Sequence, residues 1–113
     1  MPYLDRKSLL KQYISEEPKN PFNWYALALE IQENEPEEAK LIFEKLLQEF
    51  PDYLPTYYQA AFLFDSLGML DQAKKTFEGG INLATSLQDQ KAIKELKNAY
   101  QNFLFENDLD EEI

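Results

Sequence analysis

Chemistry in this chain is limited to carboxylates, lysines, tyrosines and hydroxyl groups, because its 113 residues include no histidine and no cysteine. Without these residue types, imidazole or thiolate metal sites, disulfides, cysteine nucleophiles and histidine general bases are excluded. The sequence also lacks a glycine-rich phosphate loop and a nucleophile elbow. We therefore expect no enzyme, no cofactor and no metal site.

Acidic residues outnumber basic residues by 21 to 11, which gives a formal net charge of -10. This excess of negative charge would repel phosphate backbones, so we expect no nucleic-acid partner. The acids from Glu30 to Glu38 and from Asp108 to Glu112 lack the spacing of a calcium loop. We interpret them as solvated acidic surface, which would steer a basic partner towards the protein.

The apolar segments are short, and none approaches the roughly 18 residues of a membrane-spanning helix. The start, Met1 to Asp5, lacks the basic and apolar regions of a signal peptide. We expect a cytoplasmic protein that does not associate with membranes.

One helix-turn-helix pattern is written twice between Pro21 and Thr85. The pairs that correspond at i and i+33 are Trp24 and Tyr57, Leu27 and Ala60, Ala28 and Ala61, and Ile31 and Phe64. The pairs that correspond at i and i+34 are Ala39 and Ala73, and Phe43 and Phe77. This self-similarity indicates a helical repeat array in which each unit buries its apolar face against the next.

Cap residues and prolines divide the chain into six predicted helices. Asp5, Asn20-Pro21 and Pro36 mark helix starts, and Gly68 ends a helix in the left-handed conformation that a tight turn needs. We predict a single domain, residues 1–106, with helices at about 5–15, 21–33, 36–49, 54–67, 70–84 and 89–106. Residues 107–113 are predicted to form an acidic, frayed tail.

The first helix of each repeat is apolar on two faces. Trp24 and Leu27 point towards the core, whereas Phe22, Tyr25 and Leu29 centre roughly 130° away at 100° per residue. In the second repeat, Tyr58 and Phe62 also point away from the core positions. A helix of this kind is either buried on both faces or offers one of them to a partner.

The aromatic, apolar and small residues from Trp24 to Ile31, the Ala39–Phe43 pair and Pro51 resemble the tetratricopeptide repeat. The resemblance covers residues 6–85 well and 89–106 loosely. It implies an all-α solenoid of antiparallel helix hairpins, with a half repeat, two full repeats and a C-terminal capping helix. It also implies a short, stand-alone bacterial protein whose function depends on its partner.

In the tetratricopeptide family, the second apolar stripe lines a concave groove that binds extended peptides or partner helices. The resemblance implies that the groove residues here are Phe22, Tyr25, Leu29, Gln32, Tyr58, Phe62 and Asp65. If the sixth helix keeps the same register, Lys94, Lys97 and Gln101 continue this surface. The two lysines could pair with a peptide carboxylate, but Asp65 would oppose that anion, and a solvated helix face is the favoured interpretation.

Two details concern the last two helices. Gly80 lies where the family has a small residue at a close helix crossing, whereas Gly79 has no packing reason in the sequence, so we predict a weak or bent helix there. Tyr57 and Leu96 correspond at i and i+39, a wider spacing that predicts a longer connection before the last helix.

The leading hypothesis is a protein–protein interaction module that binds a peptide or another protein through the aromatic groove. The alternative is a structural protein that forms a homodimer through the same stripe or through the edge of the array. A third possibility is that the stripe is covered by the chain's own terminal helix or tail.

Overall fold

A computed structural model describes residues 5–109, and all regular secondary structure in this range is helical. The helices are α1 (Arg6–Glu16), α2 (Pro21–Ile31), α3 (Pro36–Glu49), α4 (Pro55–Ser66), α5 (Leu70–Ser86) and α6 (Gln90–Glu106). Each helix packs against the next one in the chain, and the short connections make neighbours antiparallel. This architecture confirms the predicted all-α repeat fold.

Polar side chains and prolines determine where the helices begin. The Asp5 carboxylate accepts a hydrogen bond from the Ser8 amide at 2.8 Å, and the Asn20 side chain accepts one from the Phe22 amide at 3.0 Å. A proline occupies the first turn of α2, α3 and α4, where its missing N–H leaves no helical bond unmade. Each polar cap contributes about 1 kcal/mol, so the local sequence fixes these helix starts.

The core runs along the array between the two layers of helices. Phe43, Phe64 and Phe77 are fully buried, and Phe43 and Phe77 occupy the same position in successive repeats. Small residues such as Ala28 and Ala61 are completely buried where helices approach each other. Burying each large side chain contributes about 1.5–3 kcal/mol, so these repeated positions supply much of the fold's stability.

One hydrogen bond is made twice, once in each repeat. The indole N–H of Trp24 donates to the Pro18 carbonyl at 2.9 Å, and the hydroxyl of Tyr57 donates to the Pro51 carbonyl at 2.6 Å. The two donors occupy equivalent positions of successive repeats, and so do the two acceptors. The bond ties the start of each repeat's first helix to the preceding turn. In the first repeat the Lys45 ammonium also lies 4.8 Å from the centre of the Trp24 ring.

The predicted long connection before α6 is wrong. That connection is only residues 87–89. The wider spacing between Tyr57 and Leu96 arises mainly within helices: α5 has 17 residues whereas α3 has 14, and Leu96 is the seventh residue of α6 whereas Tyr57 is the third of α4. The left-handed conformation predicted for Gly68 is confirmed, with φ at +78°.

The helix α5 runs through both glycines, from Leu70 to Ser86. A Cβ atom at Gly79 would lie 3.3 Å from the Tyr57 ring, and one at Gly80 would lie 2.7 Å from the Tyr57 Cβ. The same atom at Gly80 would lie 3.4 Å from Leu96. Both glycines therefore have a packing reason, which is the close approach of α5 to α4.

The C-terminal end of α6 closes in a turn. Asp108 adopts a left-handed φ of +55°, and the Leu109 amide donates to the Leu104 carbonyl at 2.8 Å. Leu109 packs against the core. The remaining acids of the predicted tail, Asp110 to Glu112, lie outside the described residues.

Candidate functional site

A groove of about 1020 Å³ lies between α4 and α6. The α4 wall presents Tyr58, Phe62 and Asp65, and Tyr25 of α2 lies at its edge. The remaining lining residues are Leu54, Pro55, Gln59, Leu87, Asp89, Ala92, Glu95, Leu96, Asn98, Ala99, Asn102, Phe103 and Glu106. The volume is at the upper end of the range for ligand sites in proteins, about 300–1,000 Å³.

The aromatic side chains of the α4 wall are exposed yet held in place. Tyr58 and Phe62 are 37% and 44% exposed, and their ring centres lie 4.9 Å apart in an edge-on arrangement. The Phe62 ring also meets the edge of buried Phe77 at 6.2 Å, and Phe77 contacts Phe103 at 5.4 Å. This chain of rings fixes the exposed aromatic surface in advance, which lowers the entropic cost of binding.

The groove exists because α6 does not pack against α4 as α4 packs against α2. When Tyr57 is aligned with Leu96, buried Thr56 and Leu63 of α4 correspond to Glu95 and Asn102 of α6. Both α6 residues are exposed. Burying a carboxylate or an amide without a partner is costly, so these side chains keep α6 away from α4.

Tyr25 connects the groove with the first repeat. It is half-buried, and its ring meets that of Tyr53 edge-on at 5.7 Å. Burial, with a smaller contribution from Tyr53, raises the pKa of Tyr25 above its ordinary value. Its phenol is therefore neutral at physiological pH and available as a hydrogen-bond donor.

Phe22 and Leu29 line a separate, smaller hollow of about 230 Å³ on the α1 side of Tyr25. An ion pair between Arg6 and Glu30, with the nitrogen and oxygen 2.9 Å apart, forms part of its border. Gln32 follows α2 and lines neither space. The structure thus brings Tyr25, Tyr58, Phe62 and Asp65 together and leaves the other predicted α2 residues outside the groove.

Lys94, Lys97 and Gln101 do not line the groove. At 100° per residue they centre about 150° from the α6 residues that do line it. All three side chains are exposed, in agreement with the solvated-face interpretation of the lysines. The predicted register would have needed α6 to pack against α4, which its polar residues prevent.

The α6 wall was missed by reasoning from the sequence. It consists of exposed polar side chains, namely Glu95, Asn98, Asn102 and Glu106. The available signal was their alignment with Thr56, Gln59, Leu63 and Leu67 of α4. Asn107 was also missed: its side-chain amide donates to Asp65 at 3.3 Å and to the Phe103 carbonyl at 2.9 Å, which links the ends of α4 and α6.

The walls of the groove carry aromatic, amide and carboxylate side chains. Within residues 5–109, no group of three or more acidic side chains is arranged to hold a metal ion. The groove offers aromatic faces, amides and carboxylates, which can contact a chain but do not form a nucleophile–base arrangement. In the same range, no helix is both long and apolar enough to cross a bilayer.

The fold is that of a helical repeat protein, with an open groove between α4 and α6. A family model described as tetratricopeptide repeat matches residues 30–99. The chain belongs to the tetratricopeptide repeat family. Proteins of this family generally act as non-catalytic scaffolds that mediate protein–protein interaction.

Solved structures of bacterial proteins are similar to this chain. The solution structure of a tetratricopeptide repeat domain protein from Salinibacter ruber is 35% identical, with a TM-score of 0.72, over 77% of this chain and 89% of the other. A crystal structure of a tetratricopeptide repeat domain protein from the same organism is 35% identical, with a TM-score of 0.70, over 74% and 96%.

A protein from Bordetella parapertussis shares the fold, with a TM-score of 0.77 at 20% identity, over 96% of this chain and 95% of the other. A search of curated proteins gives no match.

Proposed function

We propose that this protein is a non-catalytic interaction module that binds a segment of another protein in the groove between α4 and α6. The observation that carries the proposal is the exposed aromatic pair, Tyr58 and Phe62, on one wall of an open space of about 1020 Å³. Soluble proteins seldom expose neighbouring aromatic rings in a concave surface unless a partner covers them.

The dimensions of the groove suit a peptide or a helix. The lining residues of α4 run from Pro55 to Asp65, and those of α6 run from Ala92 to Glu106. At 1.5 Å per residue these walls are about 15 Å and 21 Å long. That length accommodates about five or six extended residues, or a helix of about 10–14 residues.

The composition of the groove suits protein recognition as well. Tyr58 and Phe62 provide a large contact area at low side-chain entropy, and the Tyr58 hydroxyl adds direction. Asn98 and Asn102 on the facing wall carry amides that can bond the backbone of a bound chain. Aromatic anchors surrounded by polar groups are typical of binding hot spots.

The test is a pull-down from lysate of the source organism with three immobilised proteins: wild type, Tyr58→Ala/Phe62→Ala and Leu41→Ala. Leu41 is a matched control because it is 61% exposed and lies on α3, outside the groove. Circular dichroism first shows that all three are folded. We expect a protein retained by the wild type and by Leu41→Ala but lost from the double variant. Equal retention by all three would overturn the proposal.

Self-association through the same groove is the competing function. A chain of net charge -10 is repelled by its own copies, and the groove is lined by carboxylates, so we favour a different partner. Light scattering across a concentration series separates the two functions. A dimer that Tyr58→Ala/Phe62→Ala dissociates would replace the adaptor proposal with the homodimer.

A further inference from the structure

The charge on the groove lining has one sign. Four carboxylates line it, and no lysine or arginine does. The four are Asp65 on α4, Asp89 at the start of α6, and Glu95 and Glu106 on α6. They lie at both ends and along one wall of the groove, so any bound chain passes close to several of them.

Within residues 5–109, none of these carboxylates forms an ion pair with a lysine or an arginine. In residues 5–109 the ion pairs join Arg6 to Glu30, Lys7 to Glu35, Lys40 to Glu37 and Lys45 to Glu49. All four pairs involve α1, α2, α3 or the turns between them. Within that range neither Glu95 nor Glu106 has a basic partner, and both side chains are exposed.

The two remaining acids accept hydrogen bonds from amide groups. Asp65 accepts one bond from the Asn107 amide at 3.3 Å, and Asp89 accepts one from the Ala92 amide at 3.0 Å. Each carboxylate keeps free lone pairs. The faces of Tyr58 and Phe62 add negative quadrupole potential to the same space, which favours a cation placed above them.

From this lining we infer that the segment bound in the groove is cationic and amphipathic, with lysine or arginine residues next to large apolar side chains. The apolar side chains cover Tyr58 and Phe62, and the cations pair with Glu95 and Glu106. This inference rests on the proposed function and adds the chemistry of its partner. Charge complementarity of this kind speeds association and rejects acidic segments.

The same charges argue against two other occupants of the groove, namely the chain's own C-terminal residues and a second copy of the chain. The chain's own residues beyond Leu109 include Asp110, Glu111 and Glu112, which would bring further negative charge into an acidic groove. A second copy of the chain carries a net charge of -10. Like charges at close range are repulsive, so neither is the expected ligand.

The experiment is selection from a phage-displayed library of random dodecapeptides on the immobilised full chain. Parallel selections use Glu95→Lys/Glu106→Lys and the control Glu16→Lys/Glu33→Lys. The control changes net charge equally but alters exposed acids outside the groove. Circular dichroism first shows that the variants are folded. Enriched peptides are then synthesised with a fluorescent label, and their affinities are measured by anisotropy.

We expect the wild type and the control to enrich peptides with net positive charge that place lysine or arginine beside phenylalanine, tryptophan or leucine. These peptides should bind Glu95→Lys/Glu106→Lys and Phe62→Ala at least tenfold more weakly. A version with its lysines changed to glutamate should instead prefer Glu95→Lys/Glu106→Lys. The charge-matched control separates recognition in the groove from the general attraction of basic peptides to an acidic protein.

Two other results would contradict the inference about charge or the proposed function. Neutral or acidic peptides that need Phe62 would overturn the inference about charge and leave the groove as the binding site. Peptides that bind Phe62→Ala and Tyr58→Ala as tightly as the wild type would overturn the proposed function itself, and the inference with it.

Discussion

The aromatic stripe occurs twice, on α2 and on α4, and the two copies have different surroundings. Beside Leu29 of α2 there is a hollow of about 230 Å³, bordered by the ion pair of Arg6 and Glu30. Beside Phe62, at the equivalent position of α4, the space is about 1020 Å³ and lined by four acids. The neighbouring helix, not the stripe itself, therefore determines how much space is open beside the stripe.

The largest effect should come from replacing a core residue of α4, in comparison with replacing a residue of its exposed aromatic stripe. Phe64→Ala removes a fully buried ring and should cost about 3–5 kcal/mol, whereas Phe62→Ala, on the same helix, should cost about 1 kcal/mol or less. Thermal unfolding by circular dichroism measures both. If Phe64→Ala does not fold, the milder core variant Phe64→Leu is compared with Phe62→Ala instead. Equal destabilisation by the two alanine variants would mean that Phe62 belongs to the core, and the contrast between the two stripes would lose its meaning.

A second prediction concerns the junction that supports both walls of the groove. Gly80→Ala should destabilise by about 1–3 kcal/mol, because its Cβ would lie 2.7 Å from the Tyr57 Cβ, which cannot rotate away. Gly79→Ala is the control: its Cβ would meet only the edge of the movable Tyr57 ring at 3.3 Å. Urea unfolding should rank Gly80→Ala well below Gly79→Ala in stability. The reverse order would contradict the close approach of α5 to α4.

A third prediction tests what the two repeats share. Tyr57→Phe removes the hydroxyl that bonds the Pro51 carbonyl and should cost about 0.5–1.5 kcal/mol. Trp24→Phe should cost at least as much, because it removes the indole N–H donor and also replaces the indole beneath Lys45 with a smaller ring, which is a weaker cation–π partner. Tyr58→Phe is the control, since its hydroxyl has no hydrogen-bond partner among the described residues. Melting curves with no change for either variant would show that the repeated bond is not stabilising.

The smallest effect should be the pH dependence of the ion pair on the α1–α3 side. The Lys7 ammonium lowers the pKa of Glu35, and in return the Glu35 carboxylate raises the pKa of Lys7. The charged Glu35 therefore stabilises the fold fully above its ordinary pKa of 4.5, and this stabilisation is lost as pH falls through its lowered pKa in the folded protein. The charged Lys7 stabilises the fold fully below its ordinary pKa of 10.5, and this stabilisation is lost as pH rises through its raised pKa in the folded protein.

Lys7→Met should therefore lower the melting temperature slightly between these limits, and the difference from the wild type should shrink as pH falls through the lowered pKa of Glu35. Lys19→Met, an exposed lysine outside any described ion pair, is the control. A difference that persists unchanged in strong acid would show that the lysine acts through packing and not through charge.

Much of the fold could be predicted because its signals are local. Asp5 and Asn20 cap helices through side chains that reach only two or three residues along the chain. The buried phenylalanines recur at the repeat period, so Phe43 and Phe77 could be assigned to the core without the structure. Such features depend on nearby residues, and the sequence alone contains them.

The α6 wall of the groove could not be predicted from the repeat period, because it depends on how α6 packs against the preceding helices. The repeat pattern assigned Lys94 and Lys97 to the groove, as it would for a regular third repeat. Exposed Glu95 and Asn102, at positions that are buried in α4, turn that face of α6 into an open wall. The pattern of apolar residues gives the register of a helix, but polar residues at the contact decide whether the contact forms.

The hydrogen bond of Trp24 has a spectroscopic consequence. Trp24 is the only tryptophan of the chain, and its indole is anchored to Pro18 beside Lys45 and does not line the groove. Its emission therefore reports the integrity of the first repeat and is insensitive to what occupies the space between α4 and α6. Unfolding followed by fluorescence would track one end of the array, and circular dichroism would track the whole. The gap between the two midpoints would then measure how tightly the repeats are coupled.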